Sequence, residues 1–301
     1  MGASVLLEPF RRVRDALMRF AARQLTKPLK RYTLVYPNDL AELKRQIRKG
    51  DVILVEGNER VSQVIKYLTQ SSWSHSALYI GDEAIKGDPE LRLKLAQEYG
   101  EEANYMVVEA LVQSGVVLTP LARYGDFNIR ICRPYRLSEA DLRIVMEEAL
   151  AHVGRQYDLR NAFDLARYFL PVSLVPARFR HTALRFGSGD PTRAICSSMI
   201  AECFDRVRFP IVPRIEPLPE GYPVVHGPPR RLGRLIAKSL QLPPGLYHMI
   251  SPSLVTPRDF DLSPYFEVVK FNLIAGARFD YRRIVWADME SEESSKLEKA
   301  G

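Results

Sequence analysis

Cys196 is the residue of this chain best placed to do covalent chemistry. It stands in the run Ala194-Ile195-Cys196-Ser197-Ser198-Met199-Ile200-Ala201-Glu202-Cys203-Phe204, where a short apolar approach turns into a helical pattern. Met199, Ile200, Cys203 and Phe204 repeat at helix spacing behind it. A cysteine in the first turn of a helix faces unpaired backbone N–H groups and the positive end of the helix dipole. Both favour the thiolate, which is the nucleophilic form. The competing reading of the same stretch is a buried small hydrophobe, the usual fate of a free cysteine.

A thiol that attacks a carbonyl needs a base to take its proton and a third group to hold that base in one tautomer. Of the five histidines, His152 ends a helical pattern, and His181, His226 and His248 lie in segments full of Arg or Pro. His75 differs, because it falls inside the strand-like run Trp73-Ser74-His75-Ser76-Ala77-Leu78 with small serines on either side. Glu109 is the second anomaly, one carboxylate inside the apolar run Met106-Val107-Val108-Glu109-Ala110-Leu111. Glutamate is depleted in strands and costly to bury unpaired, and a neighbouring imidazolium would relieve that cost. If the two strands are adjacent, Glu109 can accept from His75. The alternatives are a half-exposed strand histidine and an outward-facing edge glutamate.

The elements that must position these residues read as short strands with helices around them. Asp39 to Arg48 is a short helix capped by Asn38 or Asp39. Strands are expected at 52–55, 74–80, 105–110, 115–118 and 127–132, with a helix over 60–68 between the first two. Their close spacing suggests a meandering antiparallel sheet or a partial barrel. Residues 83–104 are charge-rich and read as an inserted hairpin or helix. Ser138 caps a helix through Val153, a second helix is expected over 159–170, and Phe266 to Phe271 reads as a last strand. Residues 205–265 are rich in proline, with a helix expected at 230–240. Residues 289–301 read as a frayed tail.

Composition bounds the class. The 301 residues are 46% hydrophobic and 26% charged, an ordinary globular balance. Three scattered cysteines give no disulfide framework and no zinc spacing, so a reducing compartment is expected and neither metal nor organic cofactor is indicated. No apolar run is long enough to span a membrane, and Val5-Leu6-Leu7 is too short for a signal-peptide core. Met1-Gly2 resembles a myristoylation start, but Leu6 occupies the position that needs Ser or Thr.

The net charge of +7 is concentrated at one end, because residues 1–31 carry eight basic and two acidic side chains. Phe10, Val13, Leu17, Phe20 and Gln24 follow the spacing of one helical face, and arginines, Arg11 and Arg14 among them, fill the other. Such a helix can lie on an anionic membrane surface, with Phe10, Leu17 and Phe20 in the acyl boundary and arginine at the headgroups. It can equally dock on the protein's own core. Nucleic acid is not an expected partner, since the remaining chain is close to neutral. The expected setting is the cytoplasm, free or peripheral on the inner face of the membrane.

One ordered series of motifs is more specific than any single residue. It runs Gly50-Asp51-Val52-Ile53-Leu54, Ser74-His75-Ser76-Ala77-Leu78-Tyr79-Ile80-Gly81, Val107-Val108-Glu109-Ala110 with Gly115-Val116, Gly154-Arg155-Gln156-Tyr157-Asp158, Cys196-Ser197-Ser198 and Thr256-Pro257-Arg258-Asp259. The series resembles the circularly permuted branch of the NlpC-type papain-like cysteine hydrolases, the YiiX/YebB-like group, over roughly residues 50–271. In that branch the histidine strand precedes the cysteine helix.

The resemblance implies an α+β papain-like core, with an antiparallel sheet or partial barrel packed against the helix that bears the cysteine. Carried over by position, Cys196 is the nucleophile, His75 the general base and acid, and Glu109 the orienting residue. Tyr79, Tyr157 and Ser197 are candidates for substrate or oxyanion contacts. The implied domain runs over 38–288, with a surface insert at 83–104 and a Pro-rich segment at 205–250, after an N-terminal appendage over 1–37. Three functions are open at this point. They are an amidase or peptidase acting through a thioester acyl-enzyme, a membrane-surface lipid hydrolase or acyltransferase using the same residues, and a non-catalytic binding protein. The partner is correspondingly a small peptide, an amide or a lipid.

Overall fold

The computed structural model describes residues 27, 38–111, 114–156, 195–217 and 246–269. The expected helices at 159–170 and 230–240, the basic N-terminal segment and the C-terminal tail lie outside them. The described elements are α1 (Leu40–Gln46), β1 (Val52–Val55), α2 (Arg60–Thr69), β2 (His75–Gly81), α3 (Glu83–Lys86), α4 (Pro89–Tyr99), β3 (Met106–Leu111), β4 (Gly115–Pro120), β5 (Ile129–Pro134), α5 (Glu139–His152), α6 (Ile195–Asp205), β6 (Arg214–Glu216), β7 (Leu246–His248), α7 (Pro257–Leu262) and β8 (Phe266–Val269).

The centre is a six-stranded antiparallel sheet in the order β4-β3-β2-β1-β5-β8. The first four strands do meander, but β5 crosses back to pair with the free side of β1, and β8 adds at its far edge. Among the described residues the sheet is open, so of the two expected forms it is the antiparallel sheet and not the partial barrel. β1 ends up in the middle, which is why Val52-Ile53-Leu54-Val55 is a continuous apolar run rather than an alternating one: all four side chains are buried.

Strand alternation divides the buried side chains between two faces. Val52, Leu54, Leu78, Ile80, Val108 and Cys132 pack with Met199, Ile200, Cys203 and Phe204 of α6 and with Val145, Met146 and Ala149 of α5. Ile53, Ala77, Val107 and Ile131 share the opposite face in register, and all are fully buried. Leu43 and Ile47 of α1 and Leu121 of the 3-10 turn Leu121–Tyr124 are buried outside the first cluster. Full burial of one such side chain contributes roughly 1.5–3 kcal/mol. At the C-terminal end of α6, Phe204 meets Phe209 and Phe266 at centroid distances of 5.5 Å, and so fixes the helix against β8.

The local signals behave as their chemistry requires. Asp39 caps α1 by accepting from the Ala41 and Glu42 N–H groups, and Ser138 caps α5 by accepting from Asp141. The segment 83–104 is helical and not a hairpin, because Asp88 accepts from Glu90 and Leu91 and Pro89 supplies a ready first position for α4. The Pro-rich segment holds a short two-stranded ribbon, β6 with β7.

Candidate active site

His75 opens β2 and Glu109 lies inside β3, two strands paired so that Glu109 stands opposite Ala77. The carboxylate is therefore central in the sheet and 1% exposed, not an edge group facing water. His75 Nε2 lies 2.6 Å from Glu109 Oε2. The Tyr124 hydroxyl donates to the same oxygen at 2.8 Å. The other oxygen, Oε1, has Arg123 Nη1 at 3.5 Å.

α6 packs against β2 and β3 from the other face. It brings the Cys196 thiol beside the His75 ring, close enough that thiolate and imidazolium favour each other. Since Nε2 is engaged by Glu109, Nδ1 is the ring nitrogen left for the sulfur. Ser76, the next residue of β2, also favours the ionised form of Cys196. The ring thus sits at the start of β2 between a carboxylate and a thiol, with its side chain 20% exposed.

The electrostatics follow from these contacts. Burial opposes the imidazolium, but the Cys196 charge and hydrogen bond, with those of Glu109, outweigh it and raise His75 to about 10. Burial pushes Glu109 up, yet the hydrogen bond and charge of His75, helped by Thr119 and Tyr124, hold it at about 2. Burial also raises the Cys196 thiol, and the His75 charge and hydrogen bond, with the Ser76 donors, bring it below its ordinary value. The three groups stabilise one another as thiolate, imidazolium and carboxylate.

Several contacts hold the backbone around this group. The loop after β1 touches the residue before His75, with the Gly57 N–H donating to Ser74 Oγ at 2.9 Å. A side chain at Gly57 would displace the hydroxyls around it, since a Cβ would stand 2.3 Å from Ser62 Oγ and 2.7 Å from Ser74 Oγ. Trp73 Nε1 donates to Asp261 Oδ2 at 3.0 Å, and Arg130 stacks over the Trp73 ring while pairing with the same aspartate. The Thr256-Pro257-Arg258-Asp259 element is a helix start in which the Thr256 N–H and hydroxyl both donate to Asp259. Ser197 ties α6 to it, donating to the Val255 carbonyl at 2.6 Å. Two further motifs of the series meet as well, with the Val116 N–H on the Arg155 carbonyl and the Gly154 N–H on the Val116 carbonyl.

Of the residues singled out in the sequence, the fold brings Cys196, His75 and Glu109 together. Ser197 is fully buried beside Cys196, with its hydroxyl committed to Val255. Tyr79 is not brought to the thiol: it is buried further along β2, where Asp51, Asp82 and Tyr105 are its electrostatic neighbours. Tyr157, Phe10, Arg11, Arg14, Leu17 and Phe20 lie outside the described residues. Sequence reasoning missed Tyr124, Arg123, Ser76 and Glu59. Glu59 caps α2 by position but makes no cap hydrogen bond, and it senses the charges of His75 and Arg123. Its signal was available as a second acid, two residues past the glycine of the loop after β1.

Among the described residues, no group of three or more His, Cys, Asp or Glu side chains is placed to hold a metal ion, and no helix is long and apolar enough to cross a membrane. A comparison with curated proteins finds no match. One solved structure, the crystal structure of metalloprotein yiiX from Escherichia coli O157:H7, aligns with 75% of this chain and 98% of its own, at 16% identity and a TM-score of 0.41. Residues 46–170 match the family described as permuted papain-like amidase enzyme, YaeF/YiiX, C92 family. That stretch holds His75, Glu109 and Tyr124, and Cys196 lies beyond it. Over residues 46–170 this chain is therefore similar to the permuted papain-like amidases, and its mix of helices with a large antiparallel sheet fits the α+β class.

Proposed function

We propose that the protein is a cysteine hydrolase that cleaves an amide, with Cys196 as nucleophile, His75 as proton carrier and Glu109 as its orienting carboxylate. The observation that carries the reading is the His75 ring, bonded to Glu109 Oε2 at 2.6 Å and coupled in charge to the Cys196 thiol. Cys196 Sγ attacks the carbonyl carbon as thiolate, forming the C–S bond and moving the carbonyl electrons onto oxygen. The Cys196 N–H, in the first turn of α6, opposes that charge. Collapse of the oxyanion breaks the C–N bond, and the amine leaves with the proton from His75. Water then gives its proton to His75 as its oxygen attacks the thioester. The acid departs, and the sulfur returns as thiolate beside the imidazolium.

The experiment is intact-mass detection of acyl-enzyme with amide, ester and thioester probes, on the wild type and on His75→Ala. Labelling confined to Cys196 and lost in His75→Ala is expected. Folded protein that no probe labels at Cys196 would overturn the enzyme reading and leave the non-catalytic one.

A second reading is favoured by the basic amphipathic pattern of residues 1–31. The same three residues would then act on a lipid ester or thioester at an anionic membrane surface on the cytoplasmic side, with water or another acyl acceptor. Sedimentation with phosphatidylserine vesicles separates the two. Binding that is lost on deleting residues 1–31, together with preferential labelling by ester or thioester probes, supports the lipid reading. Amide labelling without vesicle binding supports the first.

A further inference from the structure

Glu109 has a partner besides His75 that the reaction itself does not require. Tyr124 ends the 3-10 turn Leu121–Tyr124, and its side chain is 3% exposed. Its O–H donates to Oε2, the oxygen that also holds the ring of His75. The turn is in turn anchored. The Asn38 side-chain amide donates to the carbonyls of Tyr124, Gly125 and Phe127 at 3.0, 3.1 and 2.6 Å. A fully buried phenol beside a carboxylate also resists ionisation: burial and the Glu109 charge both push it well above its ordinary value, so it stays a donor. The carboxylate can therefore neither rotate away from His75 nor lose this hydrogen bond without leaving a buried polar atom unpaired.

We infer that Tyr124 is a positioning residue of this site, whose hydroxyl locks Glu109 Oε2 onto His75 Nε2 and so keeps Nδ1 turned to Cys196. This assignment rests on the catalytic reading above. It acts through orientation and has a definite sign. Without the phenol O–H the carboxylate is free to swing, His75 loses part of its anionic partner, and the thiolate forms only at higher pH. A tyrosine that merely drained charge from Glu109 would do the opposite, since its removal would strengthen the imidazolium and lower the pH at which the thiolate appears.

The test follows the rate of Cys196 alkylation by iodoacetamide against pH, read by mass, in wild type, Tyr124→Phe, Glu109→Gln and the double variant. For Tyr124→Phe the acid limb is expected to move up, with about tenfold slower labelling on that limb, the size of one lost hydrogen bond to a charged group. Added to Glu109→Gln, the change is expected to cost nothing further, because the group it positions is already gone. The double variant also has no buried carboxylate to strand, so it supplies a folded background if the single one does not. An unmoved or lowered acid limb, or equal losses in the wild-type and Glu109→Gln backgrounds, would overturn the assignment. Wild-type labelling that follows an ordinary thiol overturns the catalytic reading instead, and this assignment with it.

Discussion

Cys196 and Cys203 stand at the two ends of one helix, both free and both buried, and they have opposite chemistry. Cys203 Sγ donates to the Met199 carbonyl at 3.2 Å, and burial, with Glu148 and Glu202 nearby, pushes its thiol up to about 12. Cys196 is buried as well, yet its thiol is brought down by His75 and the Ser76 donors. The difference is not residue type, helix or burial. One sulfur sits where the helix has unpaired N–H groups and a strand offers an imidazole. The other sits where the nearest polar group is a carbonyl and the nearest charges are negative.

The strongest way to break this comparison is to remove each sulfur in turn. Cys196→Ala is expected to lose hydrolysis of any amide probe by about 10⁴-fold or more, and to abolish iodoacetamide labelling of folded protein at neutral pH. Cys203→Ala should label as the wild type does. Labelling that moves to Cys203 in folded protein would refute the contrast. Next in size is His75→Ala, expected to slow Cys196 alkylation near pH 6 by about 10²-fold while ordinary-thiol reactivity returns at high pH.

Glu109→Gln tests the pH window. The thiolate forms as pH rises through the lowered value of Cys196, and the imidazolium is lost as pH rises through about 10. A bell between those limits is expected for amide cleavage. Removing the carboxylate charge lowers His75, so the alkaline limb should fall below 10 and the peak rate by about tenfold or more. A limb that stays in place would show that Glu109 is not the partner that raises His75. The smallest expected effect is on stability: Cys203→Ala should cost about 1 kcal/mol in urea unfolding and leave the rate of Cys196 labelling within about twofold.

Much of this site was legible because two of its residues break local rules. A glutamate inside Met106-Val107-Val108-Glu109-Ala110-Leu111 and a histidine between serines in a strand both lack a local explanation, and a shared partner supplies one. Tyr124 was not legible for the converse reason. Arg123-Tyr124-Gly125 reads as an ordinary turn, and only the folded chain brings the Tyr124 hydroxyl to Glu109. Strand order escaped for a similar reason. Nothing local to Ile129–Pro134 tells that it pairs with β1 instead of β4, because that choice is between the two edges left once β1 to β4 exist. The segment 83–104 stayed ambiguous because its apolar residues are sparse, and the helix is decided by the Asp88 cap and Pro89.

The placement of β2 and β3 ahead of α6 has a consequence for how the protein comes into being. A growing chain exposes the strands of His75 and Glu109 well before residue 195, so imidazole and carboxylate can pair while no thiol is yet beside them. The Cys196 thiol is then lowered only when α6 docks on β2 and β3, a contact between distant parts of the chain and hence a slow one to form. The shift of the Cys196 thiol is thus conferred by a long-range closure rather than by any local segment. A refolding time course should show backbone protection in β2 and β3 before iodoacetamide begins to find Cys196 at mildly acidic pH, and simultaneous appearance of the two would contradict that order.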